Sequence, residues 1–306
     1  MRLPVVRFPL VLRHDMKHLA LSVVIPTRNR RPVLAETLQA LNHQTGVAEA
    51  FEVIVVDDGS DDETSVWLSR QNFETFEMKT LRTEGIGPAG ARNLGISQAR
   101  ADRVLLLGDD TIPEPSTLEA HLTLADGRDL GVQGRIEWDP AHEITPVMRF
   151  LAPEGPQFWF KGLTDGGRVP FTSVYGSNLS APTGWFKKEP FDENYRSACF
   201  EDTEQAWRWS RRGWHVVFGD RALCLHRHHY ENLEPVVQRQ RRAGVATRYT
   251  LRKHPRLLWT LLVQPLIAGA MKALIVGGKI VIGSVAFEDR ADLRCRVAWV
   301  SGFAGL

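Results

Sequence analysis

This chain of 306 residues has few cysteines and a small net charge. Its three cysteines are Cys199, Cys224 and Cys295. They form neither an even-numbered disulfide framework nor the close spacing of a zinc site, and a reduced, intracellular compartment fits them best. The formal net charge of +2 argues against wholesale nucleic-acid binding.

A secretory leader is also not predicted at the N-terminus. The first fifteen residues, MRLPVVRFPLVLRHD, are basic and apolar, but Pro4, Pro9 and Arg13 interrupt them and no small-residue cleavage site follows. A more usual opening begins at Met16. Residues 1–20 are therefore interpreted as an upstream extension or a surface-lying arm.

The remaining composition is that of a globular protein, 43% hydrophobic and 24% charged. Short apolar runs alternate with helical spacing through the first half, which predicts βαβ units and a parallel sheet. The predicted strands are Leu21–Pro26, Phe51–Val56, Met78–Thr83 and Val104–Leu107, with helices near Leu34–Leu41 and Ala91–Ala99. Ser60 and Glu63 have the spacing of a capping box that opens the next helix.

Two adjacent acids, Asp109 and Asp110, end the apolar run Val104–Leu107. Ligands of open α/β sheets gather at the carboxyl ends of such strands. One or two carboxylates there, completed by phosphate and water, suit Mg²⁺ or Mn²⁺. The alternative is an ordinary surface turn with a helix cap, because aspartate is a common turn residue.

Polar residues follow the other strands in the same way. An acid after an early strand can accept hydrogen bonds from a base or ribose, glycines allow a phosphate to approach the backbone, and an arginine can pair with it. Each residue also has a plain structural explanation, as a turn former, a packing glycine or a solvated charge. The candidates are Thr27, Asn29, Asp57, Asp58, Gly87, Gly90 and Arg92.

Four segments in this order, VVIPTRNR, VIVVDDGSDDET, GPAGARNLGISQA and LLLGDD, resemble the nucleotide-binding half of family 2 inverting glycosyltransferases. The resemblance covers about residues 21–120. It implies a GT-A-type α/β fold, a Rossmann-like, mostly parallel sheet flanked by helices, with a C-terminal helical extension. The chain then divides into an N-terminal extension (1–20), a nucleotide-sugar-binding half (21–130), an acceptor-binding half of the same catalytic domain (131–232) and a basic, amphipathic helical tail (233–306).

The resemblance also implies roles for the strand-end residues. Pro26, Thr27 and Asn29 line the nucleotide pocket. Asp58 meets the base with Asp57 nearby, while Gly90 and Arg92 lie near the nucleotide or diphosphate. Asp110 binds Mn²⁺ or Mg²⁺, assisted by Asp109. Many relatives carry a third acid where this chain has Gly108, so that position has no role here.

The second half carries the implied catalytic acids. Glu201 and Asp202 precede a helix rich in tryptophan and arginine. As first-turn acids they would simply favour the helix dipole. By resemblance, Asp202 is the general base and Glu201 its support, since an alcohol is a poor nucleophile while it keeps its proton.

Histidine and acceptor-site candidates flank that helix. Relatives place a histidine near the metal or diphosphate, which favours His226 and then His228, with Arg227 a second phosphate candidate. Asn178 lies in a segment that resembles the acceptor-site support, although a turn asparagine explains it equally well. Trp159, in the run Phe158–Phe160, is either an acceptor platform or part of the core, and core is the better expectation.

The tail leaves two interpretations open. Glu234–Lys253 is predicted to be an arginine-rich helix. The apolar segment Leu257–Ile282 carries polar residues every seven or eight positions, so it is amphipathic and not a clean membrane span. It is either an interfacial anchor for anionic lipid or a helical pair packed on the catalytic domain or on a second subunit.

We therefore expect a metal-dependent inverting glycosyltransferase that uses a nucleotide sugar, a UDP-sugar first, and a sugar, lipid-linked or other hydroxyl acceptor, in polysaccharide or glycoconjugate biosynthesis. Its expected place is the cytoplasm, peripheral on the cytoplasmic face of the membrane, with no nucleic acid bound and with an oligomer left open. The alternatives are a sugar-phosphate nucleotidyltransferase and a non-catalytic nucleotide-binding or membrane-scaffold protein. The segment Pro26–Asn29 counts against the nucleotidyltransferase, which usually has a glycine-rich loop with a lysine or arginine there.

Overall fold

The computed structural model describes residues 19–152, 155–281 and 286–305, with side chains left out for 277–281. The expected extension thus lies almost wholly outside the described residues, as does Ile282 in the tail. The first half contains β1 (Leu21–Thr27), α1 (Arg31–Asn42), β2 (Phe51–Asp57), α2 (Thr64–Leu68), β3 (Phe76–Arg82), α3 (Pro88–Ser97), β4 (Arg103–Leu107), β5 (Thr111–Pro113) and α4 (Thr117–Ala125).

The second half is less regular and ends in three long helices. Its elements are β6 (Gly131–Trp138), α5 (Pro146–Leu151), β7 (Asn178–Pro182), α6 (Thr183–Lys188), α7 (Glu201–Arg211), β8 (Val216–His226), α8 (Glu234–Lys253), α9 (Gln264–Val281) and α10 (Phe287–Ala304). Helix α8 has the predicted bounds. A π-helical turn, Trp259–Val263, leads into α9.

Within the described residues, eight strands form one sheet in the order β3-β2-β1-β4-β7-β6-β8-β5. The pairs among β1 to β4 are parallel, as predicted, and so is β6 with β8. The other three neighbouring pairs are antiparallel, so the sheet is mixed. Antiparallel β7 inserts between the two halves, which joins them into one sheet.

The sheet is covered on both faces, which explains the continuous apolar runs of its central strands. Val24 and Ile54 point to one hydrophobic cluster, while Val23 and Val53 point to the other. Helix α1 contributes fully buried Leu34 to the second cluster. Since β1, β2 and β4 are parallel and similarly buried, their carboxyl ends meet at one edge.

Helices α8 and α10 pack closely. A side chain at Gly244 would overlap the backbone carbonyl of Trp299, and one at Gly302 would overlap that of Arg241. Two glycines thus allow the backbones to approach at the crossing. The interpretation of the tail as a packed helical pair therefore fits α8 and α10.

Candidate active site

The acid pair lies at the sheet edge where β4 ends, and each carboxylate is 8% exposed. The register that pairs Val24 with Leu106 runs on to Thr27, whose hydroxyl donates to Asp109 Oδ2 at 2.8 Å. From α1, the Thr37 hydroxyl donates to the Asp109 carbonyl at 2.7 Å. The parallel strands thus fix the position of both acids, as the sequence predicted.

Arg30 is the basic residue at this site, and the sequence reasoning did not single it out. Its Nη1 lies 3.2 Å from Asp109 Oδ1 and also contacts Asp110 Oδ2. Its Nη2 lies 3.3 Å from His228 Nδ1. Its position could have indicated this role, because Arg30 follows Thr27, the last residue of β1, by three residues.

Both candidate histidines reach Asp110. His226 Nε2 and His228 Nδ1 each lie 3.5 Å from Asp110 Oδ2, whereas the neighbouring His229 is exposed. Pairing of β8 with β5 and β6 places His226 opposite Thr111 and Trp138, and the Trp138 ring stacks on it at 5.0 Å.

Arg227, between these histidines, points elsewhere. Its Nε donates to Asp139 Oδ2 at 2.9 Å and its Nη1 contacts Glu36. The expected phosphate contact of Arg227 is therefore not supported, because its guanidinium already binds two carboxylates.

The two acids are electrostatically distinct. Burial alone would raise the pKa of Asp110, but the imidazoles of His226 and His228 and the charge of Arg30 hold it well below its usual range. Burial, and then the neighbouring Asp110 charge, raise the pKa of Asp109 to about 6. Asp110 is thus the more firmly ionised of the two acids, and its role as a metal ligand stays a prediction.

The donor set fits a hard divalent cation. Two carboxylates with the Nε2 atom of the His226 imidazole 3.5 Å from Asp110 suit Mg²⁺ or Mn²⁺. Among the described residues, no group of three or more His, Cys, Asp or Glu side chains forms a ready-made cage. A cation held here would complete its shell with substrate oxygens and water.

Asp57 and Asp58 organise the loops beyond β2. Asp58 accepts hydrogen bonds from the backbone N–H groups of Ile86 (2.7 Å) and Gly87 (2.9 Å) and from the Thr83 hydroxyl (2.5 Å). Asp57 accepts from the Ser60 N–H at 2.8 Å. A carboxylate accepts about four hydrogen bonds. Asp58 therefore keeps capacity for one more, and its contact with a base stays a prediction.

Asn29 links the ends of β1 and β2. Its backbone is left-handed, with φ of 54°, its N–H donates to Ser60 Oγ at 2.9 Å, and its Oδ1 accepts from the Asp61 N–H at 2.8 Å. Ser60 is thus not part of a capping box, and Asp62 accepts from the Thr64 N–H at the start of α2 instead. The neighbouring Pro26 is half-buried.

Gly90 is buried in α3, where an added Cβ would lie 3.0 Å from the Ile86 side chain. Its absent side chain lets the helix pack against the loop that Asp58 holds. Phosphate binding at Gly90 remains a prediction.

Arg92 differs from the sequence prediction. It is 7% exposed, its Nη1 lies 2.8 Å from Glu201 Oε1, and its guanidinium carbon lies 5.5 Å from the centre of the Phe191 ring. A cation neutralised by a buried carboxylate is not free for a diphosphate. The correction is therefore that Arg92 anchors the start of α7, a partner 109 positions away that no local pattern indicates.

Asp202 is the second residue of α7, which begins after Phe200, whose φ of 70° is left-handed. It is half-buried and accepts from the Gly176 N–H at 3.2 Å and the Thr203 N–H at 2.8 Å. These bonds aim its carboxylate at the loop that carries Tyr175.

A line of aromatic contacts joins Asp202 to the acid pair. The Tyr175 ring, next to Gly176, meets Phe158 edge-on at 5.5 Å, and Phe158 meets His226 at 5.2 Å. Phe158 is buried, as the core interpretation expected, whereas Trp159 is 47% exposed. Tyr175 and Phe158 thus connect the expected base with the expected metal ligands, and the exposed Trp159 follows Phe158 in sequence.

Asn178 takes no part in these aromatic contacts. It is fully buried, its Oδ1 accepts from His121 at 2.8 Å, and its Nδ2 donates to the carbonyls of Arg135 (3.0 Å) and Ala222 (2.8 Å). The predicted acceptor role of Asn178 is therefore corrected to a structural one. Its side chain ties β7 to its neighbours in the sheet.

A mixed sheet flanked by helices, with paired acids beyond its central strand, is the GT-A-type glycosyltransferase fold. Two solved structures share it. One is the mannosyltransferase PcManGT from Pyrobaculum calidifontis in complex with GDP-Man and Mn²⁺, with a TM-score of 0.66, 17% identity and coverage of 94% of this chain and 87% of that one. The other is residues 1–349 of TarS from S. aureus in complex with UDP, with a TM-score of 0.52, 18% identity and coverage of 94% and 92%.

Sequence comparison gives the family. Residues 22–163 match the model of glycosyl transferase family 2. Chondroitin synthase of Pasteurella multocida is 28% identical over 242 residues, which are 69% of this chain and 25% of the relative. Validoxylamine A glucosyltransferase of Streptomyces hygroscopicus subsp. jinggangensis is 32% identical over 223 residues, 63% of this chain and 52% of the relative. Residues 22–163 thus form a glycosyl transferase family 2 domain, and the chain spans about half or less of the length of these relatives.

Proposed function

We propose that this protein is a metal-dependent inverting glycosyltransferase that moves a sugar from a nucleoside diphosphate sugar to an acceptor hydroxyl. The observation that supports this proposal most is a continuous series of contacts that runs from Asp202 through the Tyr175 loop and Phe158 to His226 and Asp110. It connects a proposed proton acceptor at one end with a proposed site for the leaving group's counter-charge at the other.

Asp202 is the proposed general base. It takes the proton of the acceptor hydroxyl while that oxygen attacks the anomeric carbon, and the bond from this carbon to the diphosphate oxygen breaks. One displacement inverts the anomeric configuration and releases a nucleoside diphosphate. The N–H groups of Gly176 and Thr203 orient the carboxylate.

Asp110 is the residue proposed to hold Mn²⁺ or Mg²⁺, with Asp109 and His226 in support. The ion would supply positive charge that offsets the charge of the departing diphosphate. The Mn²⁺ bound to the archaeal mannosyltransferase is consistent with this assignment. Thr27, Asn29 and Asp58 are the proposed nucleotide-side residues.

For the acceptor, we propose a sugar that stacks on Trp159, an exposed ring beside the Tyr175 loop. The backbone N–H of Trp159 donates to the Tyr175 hydroxyl at 2.9 Å. This bond holds the segment beside the Tyr175 loop, whose Gly176 N–H donates to Asp202. The chondroitin synthase and glucosyltransferase relatives also favour a sugar acceptor.

We also propose that α9 lies on an anionic membrane surface. The stretch Trp259–Val276 has a mean hydropathy of 1.6 and is long and apolar enough to cross a membrane by length and composition alone. However, Lys272 lies within it and binds Asp289 of α10. Met271 and Leu274 are 60% and 78% exposed. An exposed apolar face in a tail that also contains the basic helix α8 favours interfacial binding over packing against the catalytic domain.

A donor screen tests the proposed activity. Thermal unfolding with UDP, GDP, dTDP or CDP, with and without Mn²⁺, should show the largest shift for the preferred base, because a ligand that binds the native state stabilises it. The matching nucleotide sugar should then release nucleoside diphosphate when acceptor sugars are added, with an inverted product by NMR. Release of pyrophosphate from a nucleoside triphosphate and a sugar phosphate would contradict the proposal.

A further inference from the structure

Arg30 binds the same carboxylate oxygens that a divalent cation would need. Its Nη1 bridges Asp109 Oδ1 and Asp110 Oδ2, and its Nη2 reaches His228 Nδ1. Three of the groups nearest to the expected metal position are thus joined by one guanidinium. The contact spans about 80 positions in sequence and closes the sheet edge from the β1 side.

The Arg30 guanidinium stabilises the two buried carboxylates of Asp109 and Asp110. Two adjacent carboxylates, each 8% exposed, repel one another and are poorly solvated. Arg30 supplies a counter-charge to both from the end of β1. A divalent cation at the same oxygens would supply it as well, and two cations within a few ångströms repel, so the two arrangements exclude each other.

The Arg30 side chain is exposed enough to leave the acid pair. Its side chain is 38% exposed, whereas Arg92 is buried against Glu201 and Arg227 is held by Asp139 and Glu36. A guanidinium binds a diphosphate in a bidentate manner, so a nucleotide that arrives at the strand ends offers it a new partner. Arg30 is therefore the arginine best placed to exchange carboxylate for phosphate.

We infer that Arg30 is a built-in counter-ion of the acid pair that competes with the divalent cation, so that the metal binds weakly until a nucleoside diphosphate draws the guanidinium away. Arg30 then acts as a positioning residue that couples metal binding to donor binding. This inference rests on the metal site of the proposed function.

The test measures Mn²⁺ affinity by calorimetry, with and without saturating UDP or GDP. Arg30→Gln should bind Mn²⁺ at least about fivefold more tightly than the wild type without nucleotide, the lower end of ordinary site-to-site coupling. The difference should shrink when nucleotide is present, because the wild-type guanidinium has then left the acids. Arg31→Gln is the charge-matched control, since Arg31 pairs with Glu63 at 3.7 Å, and its affinity should equal that of the wild type.

Three outcomes separate the inference from the function beneath it. Tighter binding by Arg30→Gln that Asp110→Ala abolishes supports the inference. Equal affinity of Arg30→Gln and wild type, with binding still dependent on Asp110, overturns the inference and leaves the proposed metal site standing. No Mn²⁺ binding to any variant, even with each nucleotide, refutes the metal site and the inference together. If Arg30→Gln fails to fold, Arg30→Lys replaces it: its single ammonium cannot bridge both acids and His228, so Mn²⁺ affinity should rise by a smaller factor, and unchanged affinity overturns the inference.

Discussion

The ion pair between Arg92 and Glu201 predicts a large and pH-dependent loss of stability when it is broken. Both side chains are under 10% exposed and their charged atoms lie 2.8 Å apart. Arg92→Met leaves the Glu201 carboxylate buried without its cation, which typically costs ~3–5 kcal/mol. At ~2–4 °C per kcal/mol for a chain of this size class, the Tm should fall by about 6–20 °C.

The pH dependence follows from Glu201. Burial, and then the charge of Asp202, raise the pKa of Glu201 above its ordinary value of 4.5, while Arg92 opposes the rise. Without Arg92 the pKa rises further, so the folded state holds a proton that the unfolded chain releases. The stability of Arg92→Met relative to wild type should therefore be greatest near pH 4.5 and fall as the pH rises to 8.

The assay is urea unfolding followed by circular dichroism at pH 5 and pH 8. Arg92→Met combined with Glu201→Gln should recover ~1–3 kcal/mol relative to Arg92→Met, because no uncompensated charge remains. Arg294→Met is the matched control: its partner Glu234 is as exposed as Arg294, and such surface pairs contribute at most ~1 kcal/mol. A deficit of Arg92→Met below ~1 kcal/mol, or one that is equal at the two pH values, would refute the reasoning.

Three further predictions concern the core and the tail. Burial lowers the pKa of His121 from 6.5 to about 4, so native stability should fall as the pH drops from 6.5 towards 4; His121→Gln should flatten that dependence in urea titrations, and an unchanged slope would contradict it. Asn178→Ala should lower stability by ~1–3 kcal/mol without changing the acceptor KM, since its amide is buried and bonded within the sheet; a raised KM in a stable variant would restore the acceptor role. Met271→Glu with Leu274→Glu should reduce co-sedimentation with vesicles of anionic lipid, whereas Val66→Glu, at an equally apolar exposed site on α2, should not; equal binding by all three proteins would argue against α9 as the membrane contact.

Local patterns predicted the first half of the fold well. The runs that became β1, β2 and β4 are continuous and apolar because both sheet faces are covered, and parallel order then brings Thr27 and Asp109 to one edge. Helix α8 has the bounds predicted for the arginine-rich segment Glu234–Lys253. The bounds of β3 differ most, since it begins at Phe76, two residues before the predicted start, and it is an edge strand with a half-exposed pattern.

Long-range partners could not be predicted in this way. Arg92 was predicted to lie near the diphosphate because the prediction used only the short segment around it. Its partner Glu201 lies more than a hundred positions later in the sequence. Asn178 read as an accessible amide because its segment contains turn residues, yet it sits in a strand at the centre of the sheet. Arg30 was missed because a run of arginines resembles a solvated surface until β4 brings two acids beside it.

The central claim is that Asp202 is the base of an acceptor-dependent sugar transfer. Its most direct test compares wild type and Asp202→Asn for nucleoside diphosphate release from the preferred donor with acceptor present, beside calorimetric affinity for the same nucleotide and Mn²⁺. Asp202→Asn should keep nucleotide and metal affinities equal to those of wild type and should lower the transfer rate by at least ~100-fold, the smallest loss typical of a removed general base. Transfer by Asp202→Asn at nearly the wild-type rate would contradict it.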